Sequence, residues 1–346
     1  MKLYVHEFEL PLQHTFTISR DSTSVQSTIV VELVDGDVRG YGEATTNTYY
    51  GVTRESITEA LSRVKPKIEF LSSDDPVSVW ESLHPQLADH TFAQCALDQA
   101  TWDLYGKRRG VPTYQMWDLT WGGVPHSCYT HGIDDPDVMV EKLKEMPGWP
   151  VYKIKLGNSQ DLEIVKHLRE HTDALFRVDV NCGWTAEETV RNSRKLKSLG
   201  VEFIEQPLPS DDWAGHRQVF LESALPILAD ESCRVFADVP RCEGHFHGIN
   251  IKLVKCGGLT PALRMIAQAK RLGLKVMVGC MTESSVGISA IAQLLPLLDF
   301  VDMDGAVLLK EDIACGARIV RGVCHLADGP GNGVSLTESA ERLRRR

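Results

Sequence analysis

The chain of 346 residues has no long apolar run and no extended basic stripe. A membrane-spanning helix needs about 18 or more consecutive apolar residues, so none is expected. The net charge of −10 and the pI of about 5.7 argue against a nucleic-acid partner, because the basic run RLRRR at the C-terminal end is short. We therefore predict that the chain binds neither a membrane nor nucleic acid.

The sequence also lacks the cysteine spacing of a disulfide framework. Its nine cysteines are scattered, odd in number and contain no C-x-x-C pair, which favours reduced thiols. Glu7 and Glu9 stand where a secretory signal would have its apolar core. Together these features predict a cytoplasmic protein, and an apolar fraction of 43% provides for a large core.

The first 122 residues predict a separate α+β domain. Two β-rich runs flank Asp35-Gly36, which is a hairpin signal. From about residue 53 to 110, apolar residues recur at helical spacing and glycine follows the last periodic stretch. Strands followed by helices indicate an α+β unit, which we predict to cap the rest of the chain.

After residue 122 the pattern becomes periodic. Eight short apolar runs begin near residues 127, 151, 176, 201, 226, 248, 274 and 298, about 25 residues apart, with amphipathic stretches between them. Eight strand–helix units at a steady period predict a (β/α)8 TIM-type barrel over 123–320. We expect the last segment, 321–346, to return to the N-terminal domain and complete it.

Acidic residues end three successive predicted strands. Asp179, Glu205 and Asp230 are 26 and 25 residues apart, one barrel unit each. Barrel active sites lie at the C-terminal ends of the strands, so these carboxylates are expected to converge. Hard oxygen ligands of this kind suit Mg²⁺, with Mn²⁺ as a second possibility. The alternative is that they form separate ion pairs or helix N-caps.

Lysines flank the expected metal site. Lys153 and Lys155 lie on the second predicted strand and Lys252 on the sixth, which face each other across an eight-strand ring. A lysine near a metal and a second lysine is expected to have a lowered pKa and to act as a base. A base on each face of a metal-bound carboxylate predicts 1,1-proton transfer through an enediolate, which is racemisation or epimerisation. Surface lysines at strand ends are the alternative.

The combined pattern resembles the enolase superfamily, in its muconate-lactonising subgroup. The matching segments are KIK, DVN, EQP, DES and KLVKCGG, and the resemblance covers nearly the whole chain. It implies that Asp179, Glu205 and Asp230 bind Mg²⁺, with Lys155 and Lys252 as acid/base catalysts. It also implies that Lys153 assists the substrate carboxylate. Asn181 and Glu231 are expected to support these groups.

The segment VDMDG distinguishes reactions within that subgroup. Asp302 and Asp304 resemble the D-x-D of the dipeptide epimerases, where it binds the substrate's α-ammonium, and CMTES at 280–284, with Thr282 and Glu283, resembles the same family. The resemblance implies a dipeptide substrate, as in epimerases acting on L-Ala-D/L-Glu. N-acylamino acid racemase, o-succinylbenzoate synthase, muconate cycloisomerase or a non-catalytic binding relative remain alternatives. So does an aspartate pair that only binds a lysine or caps a loop.

Specificity is expected to reside in loops of the first domain that cover the barrel mouth. Arg20 resembles an arginine that pairs with a glutamate side chain, and a role as a surface residue is equally open. Tyr50 is expected to shape the pocket or to pack within the lid. The resemblance also implies a homo-oligomer.

Overall fold

A computed structural model describes residues 1–19, 21–71 and 75–344. The N-terminal part is a three-stranded antiparallel sheet of β1 (Lys2–Ile18), β2 (Asp21–Asp35) and β3 (Val38–Thr45). The predicted hairpin is confirmed, because Asp35 pairs with Val38 across a turn in which Gly36 has φ +59°.

Three helices cover this sheet: α1 (Arg54–Phe70), α2 (Pro76–Leu87) and α3 (Thr91–Arg109). Thr53 and Asp75 cap the first turns of α1 and α2, and Gly110 ends α3 in the left-handed conformation. Helix α3 packs closely on β3 because the facing strand positions are glycines. A Cβ at Gly42 would lie 2.0 Å from the carbonyl oxygen of Ala96. The capping part is therefore held together through α3.

A closed ring of eight parallel strands follows, and the predicted (β/α)8 fold is confirmed. The ring order is the chain order, and a parallel bridge between Ser127 and Val301 joins its ends. The strands are β4 (Tyr129–His131), β5 (Val151–Lys155), β6 (Leu175–Asp179), β7 (Val201–Glu205), β8 (Ile227–Ala229), β9 (Gly248–Ile251), β10 (Lys275–Gly279) and β11 (Phe300–Asp302). Their short, almost fully buried runs match parallel strands covered on both faces.

Helices lie between the barrel strands in the described part of the chain. They are α4 (Pro136–Glu145), α5 (Asp161–Arg169), α6 (Ala186–Ser198), α7 (Trp213–Glu222), α8 (Val239–Cys242), α9 (Leu253–Cys256), α10 (Leu259–Arg271) and α11 (Ser285–Ala292). Short 3₁₀ turns lie at Thr113–Trp117, Phe236–Asp238, Leu295–Leu297 and Gly305–Leu308. No helix within the described ranges combines the length and apolarity that crossing a bilayer would require.

The chain ends in four short strands and a helix, namely β12 (Ala314–Cys315), β13 (Arg318–Val320), β14 (Val323–His325), β15 (Ser335–Leu336) and α12 (Glu338–Arg344). This segment contacts α3: the amide of Asn332 donates to Asp103 Oδ1 at 2.7 Å, and Lys107 Nζ donates to the carbonyl of Val334 at 2.7 Å. The domain boundaries given above stay a prediction.

Candidate active site

Three carboxylates converge at the C-terminal edge of the barrel. Asp179 and Glu205 end β6 and β7, and Asp230 directly follows β8. One oxygen from each lies within 4.8 Å of the others, and all three side chains are buried. Such closely spaced buried charges need cationic partners, and their oxygen atoms are the ligands that Mg²⁺ prefers. The donor set therefore fits a divalent metal ion.

The electrostatics of the three carboxylates differ because their neighbours differ. Burial and then the charge of Asp179 raise the pKa of Glu205 to about 7. Burial also opposes ionisation of Asp179 and Asp230, but nearby lysines outweigh it. The pKa of Asp179 consequently lies below its ordinary value beside Lys155, and that of Asp230 lies well below it beside Lys252.

Residues behind the carboxylates hold them in place. Lys255, fully buried on the one-turn helix α9, contacts Asp230 Oδ1 at 2.5 Å. Asn250 Nδ2 donates to Glu205 Oε1 at 2.7 Å, and Gln206 Oε1 accepts from the amide of Asp230 at 2.9 Å. Sequence reasoning assigned none of these three a role. The available signal was position, since each lies within five residues of a predicted site residue.

Two lysines of β5 point into the barrel toward this cluster. Lys155 Nζ lies 2.6 Å from Asp179 Oδ2, and Lys153 Nζ lies 2.8 Å from Glu205 Oε2 and 2.7 Å from Asp302 Oδ2. Both side chains are buried, so the surface-lysine alternative does not describe them. Burial opposes the charge on Lys153, but its carboxylate neighbours hold its pKa above the ordinary value.

Lys252 faces the cluster from the other side of the ring, directly after β9. Its Nζ lies 2.9 Å from Asp230 Oδ2. The lowered lysine pKa expected from the sequence refers to a site that holds a metal ion, and it stays a prediction. Burial does lower the pKa of Lys252, but the charge of Asp230 reverses the effect and the pKa is raised. Among the protein groups, the direct contact with a carboxylate therefore outweighs burial for this lysine.

Asp302 and Asp304 lie at the end of β11, beside β4, and Lys153 Nζ bridges Asp302 to Asp179 and Glu205. Thr130 of β4 contacts both: its amide donates to Asp304 Oδ2 at 2.6 Å, and its hydroxyl lies 3.4 Å from Asp302 Oδ1. Burial opposes ionisation of Asp302, but Lys153 holds its pKa well below the ordinary range. Burial and then the charge of Asp302 raise the pKa of Asp304 to about 8. The pair thus combines a stable carboxylate with one that gains from an added cation.

The loop after β10 provides one predicted residue to the cavity and places another elsewhere. Thr282 lines the cavity together with Cys280 and Met281. Glu283 is not among the described lining residues, and it packs behind the loop, where its Oε1 accepts from the amide of Met281 at 2.9 Å. Burial raises the pKa of Glu283 to about 8, with a further contribution from Glu43. The predicted contact of Glu283 with substrate therefore has no support in this geometry.

The N-terminal domain forms the outer wall of the same cavity. The lining residues from that domain are Phe16, Ile18, Asp21, Ser22, Thr23, Gln26, Thr45, Asn47 and Tyr50. The guanidinium of Arg234, which follows β8, lies 4.8 Å from the centre of the Tyr50 ring. Arg20, predicted to contact substrate, lies outside the described residues.

Asn181 and Glu231 both line the cavity next to the carboxylates. Asn181 Oδ1 accepts from Lys155 Nζ at 3.2 Å, and its Nδ2 lies 3.4 Å from Glu231 Oε1. Its backbone has φ +47°, an uncommon conformation for a residue other than glycine, which turns the chain sharply after β6. The two residues therefore link Lys155 to the loop that carries Asp230.

Fold and site together define a barrel enzyme equipped for acid–base chemistry on a carboxylate bound at a divalent metal. The family models agree. Residues 1–117 match "Mandelate racemase / muconate lactonizing enzyme, N-terminal domain", and residues 138–340 match "Enolase C-terminal domain-like". The chain belongs to this family of enzymes, which confirms the resemblance seen in the sequence.

Individual proteins of this family resemble the chain over nearly its whole length. An L-Ala-D/L-amino acid epimerase of Flavobacterium johnsoniae is 54% identical over 97% of this chain and 100% of its own. The substrate-liganded L-Ala-D/L-Glu epimerase of Bacillus subtilis has a TM-score of 0.92 at 27% identity, covering 96% of this chain and 99% of that one. A dipeptide epimerase of Enterococcus faecalis, complexed with Mg and L-Leu-L-Tyr, has a TM-score of 0.89 at 28% identity, with coverage of 96% and 99%.

Proposed function

We propose that the protein is a Mg²⁺-dependent dipeptide epimerase that inverts the α-carbon of the C-terminal residue. The observation that carries the proposal is the position of Lys155 and Lys252 on opposite sides of one carboxylate cluster. A proton removed on one face by either lysine can be replaced on the other face by its partner, and this exchange of roles makes the reaction reversible.

Asp179, Glu205 and Asp230 would hold the metal ion, for which Mn²⁺ is a further possibility. When bound, the ion supplies electrostatic stabilisation of the negative charge that develops on a substrate carboxylate as the α-proton leaves. Lys153, within contact distance of Glu205, would bind and orient that carboxylate from the β5 side. The surrounding burial excludes water and strengthens these interactions.

The aspartate pair supports a dipeptide over other substrates of the subgroup. Asp302 and Asp304 lie across the ring from β7, so a substrate whose carboxylate meets the metal ligands would direct its N-terminal end toward them. A free ammonium at that end would pair with the two carboxylates. N-acylamino acids and muconate lack such a group, and a second buried carboxylate would only be a cost for them.

The direct test is incubation with a dipeptide library in deuterated water, with mass-spectrometric detection of deuterium at the α-carbon. Deuterium should enter the C-terminal residue only when Mg²⁺ is present, and both epimers should accumulate. Complete absence of Mg²⁺-dependent exchange across the library would refute the proposal. Exchange of N-acylamino acids without exchange of dipeptides would favour the racemase alternative.

Cytoplasmic location and homo-oligomeric assembly remain predictions. Size-exclusion chromatography with light scattering measures the second directly.

A further inference from the structure

The helix that follows Lys252 is too short to be stable without contacts to other segments. Helix α9 has four residues, Leu253–Cys256, and isolated helical turns of this length are unstable in water. Lys252 precedes its first residue, and Lys255 lies within it. Two glycines then turn the chain sharply into α10, with φ +96° at Gly257 and +118° at Gly258.

Side chains of the N-terminal domain form hydrogen bonds with this segment from outside the barrel. Trp80 of α2 donates its indole N–H to the carbonyl of Gly257 at 2.9 Å. Asp98 of α3 accepts from the amide of Thr260 at 2.8 Å and from its hydroxyl at 2.7 Å. Asp98 thus performs for α10 the capping that Gly258, without a side chain, leaves undone.

The fit between the two domains at this point is close. A Cβ at Gly258 would lie 2.4 Å from Asp98 Oδ2 and 2.6 Å from Asp98 Cβ, so only glycine allows the carboxylate this approach. Trp80 and Asp98 are both buried, and Trp102 adds a third contact by donating to the Thr260 hydroxyl at 2.9 Å. The turn after α9 is therefore fixed by hydrogen bonds to another domain.

We propose that Asp98 and Trp80 are positioning residues for Lys252, acting through the Gly257–Gly258 turn and α9. The proposal rests on the proposed function, in which Lys252 serves one face of the α-carbon and Lys155 the other. The two lysines are held in place by different segments. Lys155 lies within strand β5, and its position does not depend on the Gly257–Gly258 turn. Loss of the hydrogen bonds from Trp80 and Asp98 should therefore impair the face served by Lys252 more than the other. General destabilisation, or a shift of Asp230 through Lys255 on the same helix, would impair both faces equally.

The experiment compares Asp98→Ala and Trp80→Phe with the wild-type enzyme in deuterated water. Initial rates of α-proton loss are measured by NMR for each epimer of one dipeptide substrate. Lys155→Ala and Lys252→Ala identify which epimer each lysine deprotonates. Asp98→Asn is the conservative rescue, because its side-chain oxygen can still accept from the Thr260 amide.

The matched control is Asp103→Ala on the same helix. Asp103 is equally buried. It accepts from the amides of Tyr41 and Asn332, at 2.9 and 2.7 Å, and from Lys107 Nζ at 2.6 Å, and it does not contact the Gly257–Gly258 turn. Thermal unfolding of all variants reports how much stability each one loses. If Asp98→Ala and Asp103→Ala lose similar stability, a difference between them in the ratio of the two epimers' rates of α-proton loss isolates the positioning effect.

We expect Asp98→Ala and Trp80→Phe to slow proton loss from the epimer facing Lys252 by about tenfold, since small misplacement of a catalytic group is costly. The epimer facing Lys155 should still exchange, with more retention relative to inversion, and Asp98→Asn should recover most of the loss. Equal slowing of both epimers, or no change in either, would overturn the inference. If the wild-type enzyme exchanges no dipeptide, the proposed function itself is wrong and the inference falls with it.

Discussion

Replacement of Asp304 by asparagine tests the assignment of the substrate most sharply. The change removes one of two buried carboxylates proposed to bind the ammonium, but keeps the shape and one accepting oxygen. The amide of Thr130, which donates to Asp304 at 2.6 Å, therefore retains a partner. Breaking a buried charge-assisted contact typically costs about 2–4 kcal/mol, which corresponds to about 30- to 1000-fold in kcat/KM.

The assay compares two substrates that differ only in the ammonium. An L-Ala dipeptide and the matching N-propionyl amino acid share every other atom of the N-terminal group. In the wild-type enzyme the dipeptide should be preferred by a factor of the size given above. In Asp304→Asn that preference should largely disappear, because the propionyl compound never used the lost charge.

Stability gives an independent control for this variant. The pKa of Asp304 is raised from 3.8 to about 8, chiefly by burial and then by Asp302. A carboxyl group with a raised pKa in the folded state contributes to the free energy of unfolding. This contribution is fully present below pH 3.8 and is lost as the pH rises through about 8. Asparagine resembles the protonated form, so the variant should unfold at the wild-type temperature or slightly above it at pH 7 to 8. An unchanged preference for the dipeptide in a well-folded Asp304→Asn enzyme would refute the ammonium role.

Three further predictions concern pH, metal and support of the site. Because an ammonium favours ionised Asp304, dipeptide binding should release a proton below pH about 8, and kcat/KM for dipeptides should fall with decreasing pH by up to about tenfold per unit. Calorimetry in buffers of different ionisation enthalpy measures the proton release. Binding without proton release would contradict the ammonium role of Asp304. Removal of divalent ions by EDTA should abolish epimerisation. Added Mg²⁺ should bind the native state and raise the free energy of unfolding by about 2.7 kcal/mol at 100 times the dissociation constant, and the unfolding temperature should rise with it. An unfolding temperature that does not change with Mg²⁺ would argue against the three carboxylates as its ligands. Lys255→Met should leave Asp230 with one fewer cation and cost about 3–5 kcal/mol of stability; denaturant titration measures the loss, and a wild-type value would show that the contact at 2.5 Å is not needed.

The sequence was sufficient for the barrel and for the positions of the charged groups at its mouth. Residue spacing places Asp179, Glu205 and Asp230 in successive units, and parallel strands in a closed ring necessarily bring their C-terminal ends together. The opposition of Lys155 and Lys252 follows from the same count, because strands two and six are half a ring apart. These conclusions need only the period and the strand ends.

Contacts between non-adjacent strands and between domains could not be deduced in this way. Asp302 of β11 meets Lys153 of β5, which lies 149 positions earlier in the chain, and this depends on side chains that reach past the intervening strand β4. Glu283 lies two residues from Met281 and one from the cavity wall, yet the start of α11 turns it behind the loop. The local sequence does not predict in which direction the side chains of such a short turn point.

The sequence by itself determined which chemical groups stand at the barrel mouth and on which strand each one lies, since repeat length and residue type fix both. Only the tertiary structure decided their partners: Lys255 on Asp230, Asn250 on Glu205, and Asp98 with Trp80 on the turn after Lys252. The physical reason is that these contacts form between segments distant in sequence. Their distances and burial, and the pKa values that follow from them, exist only once the two domains pack together.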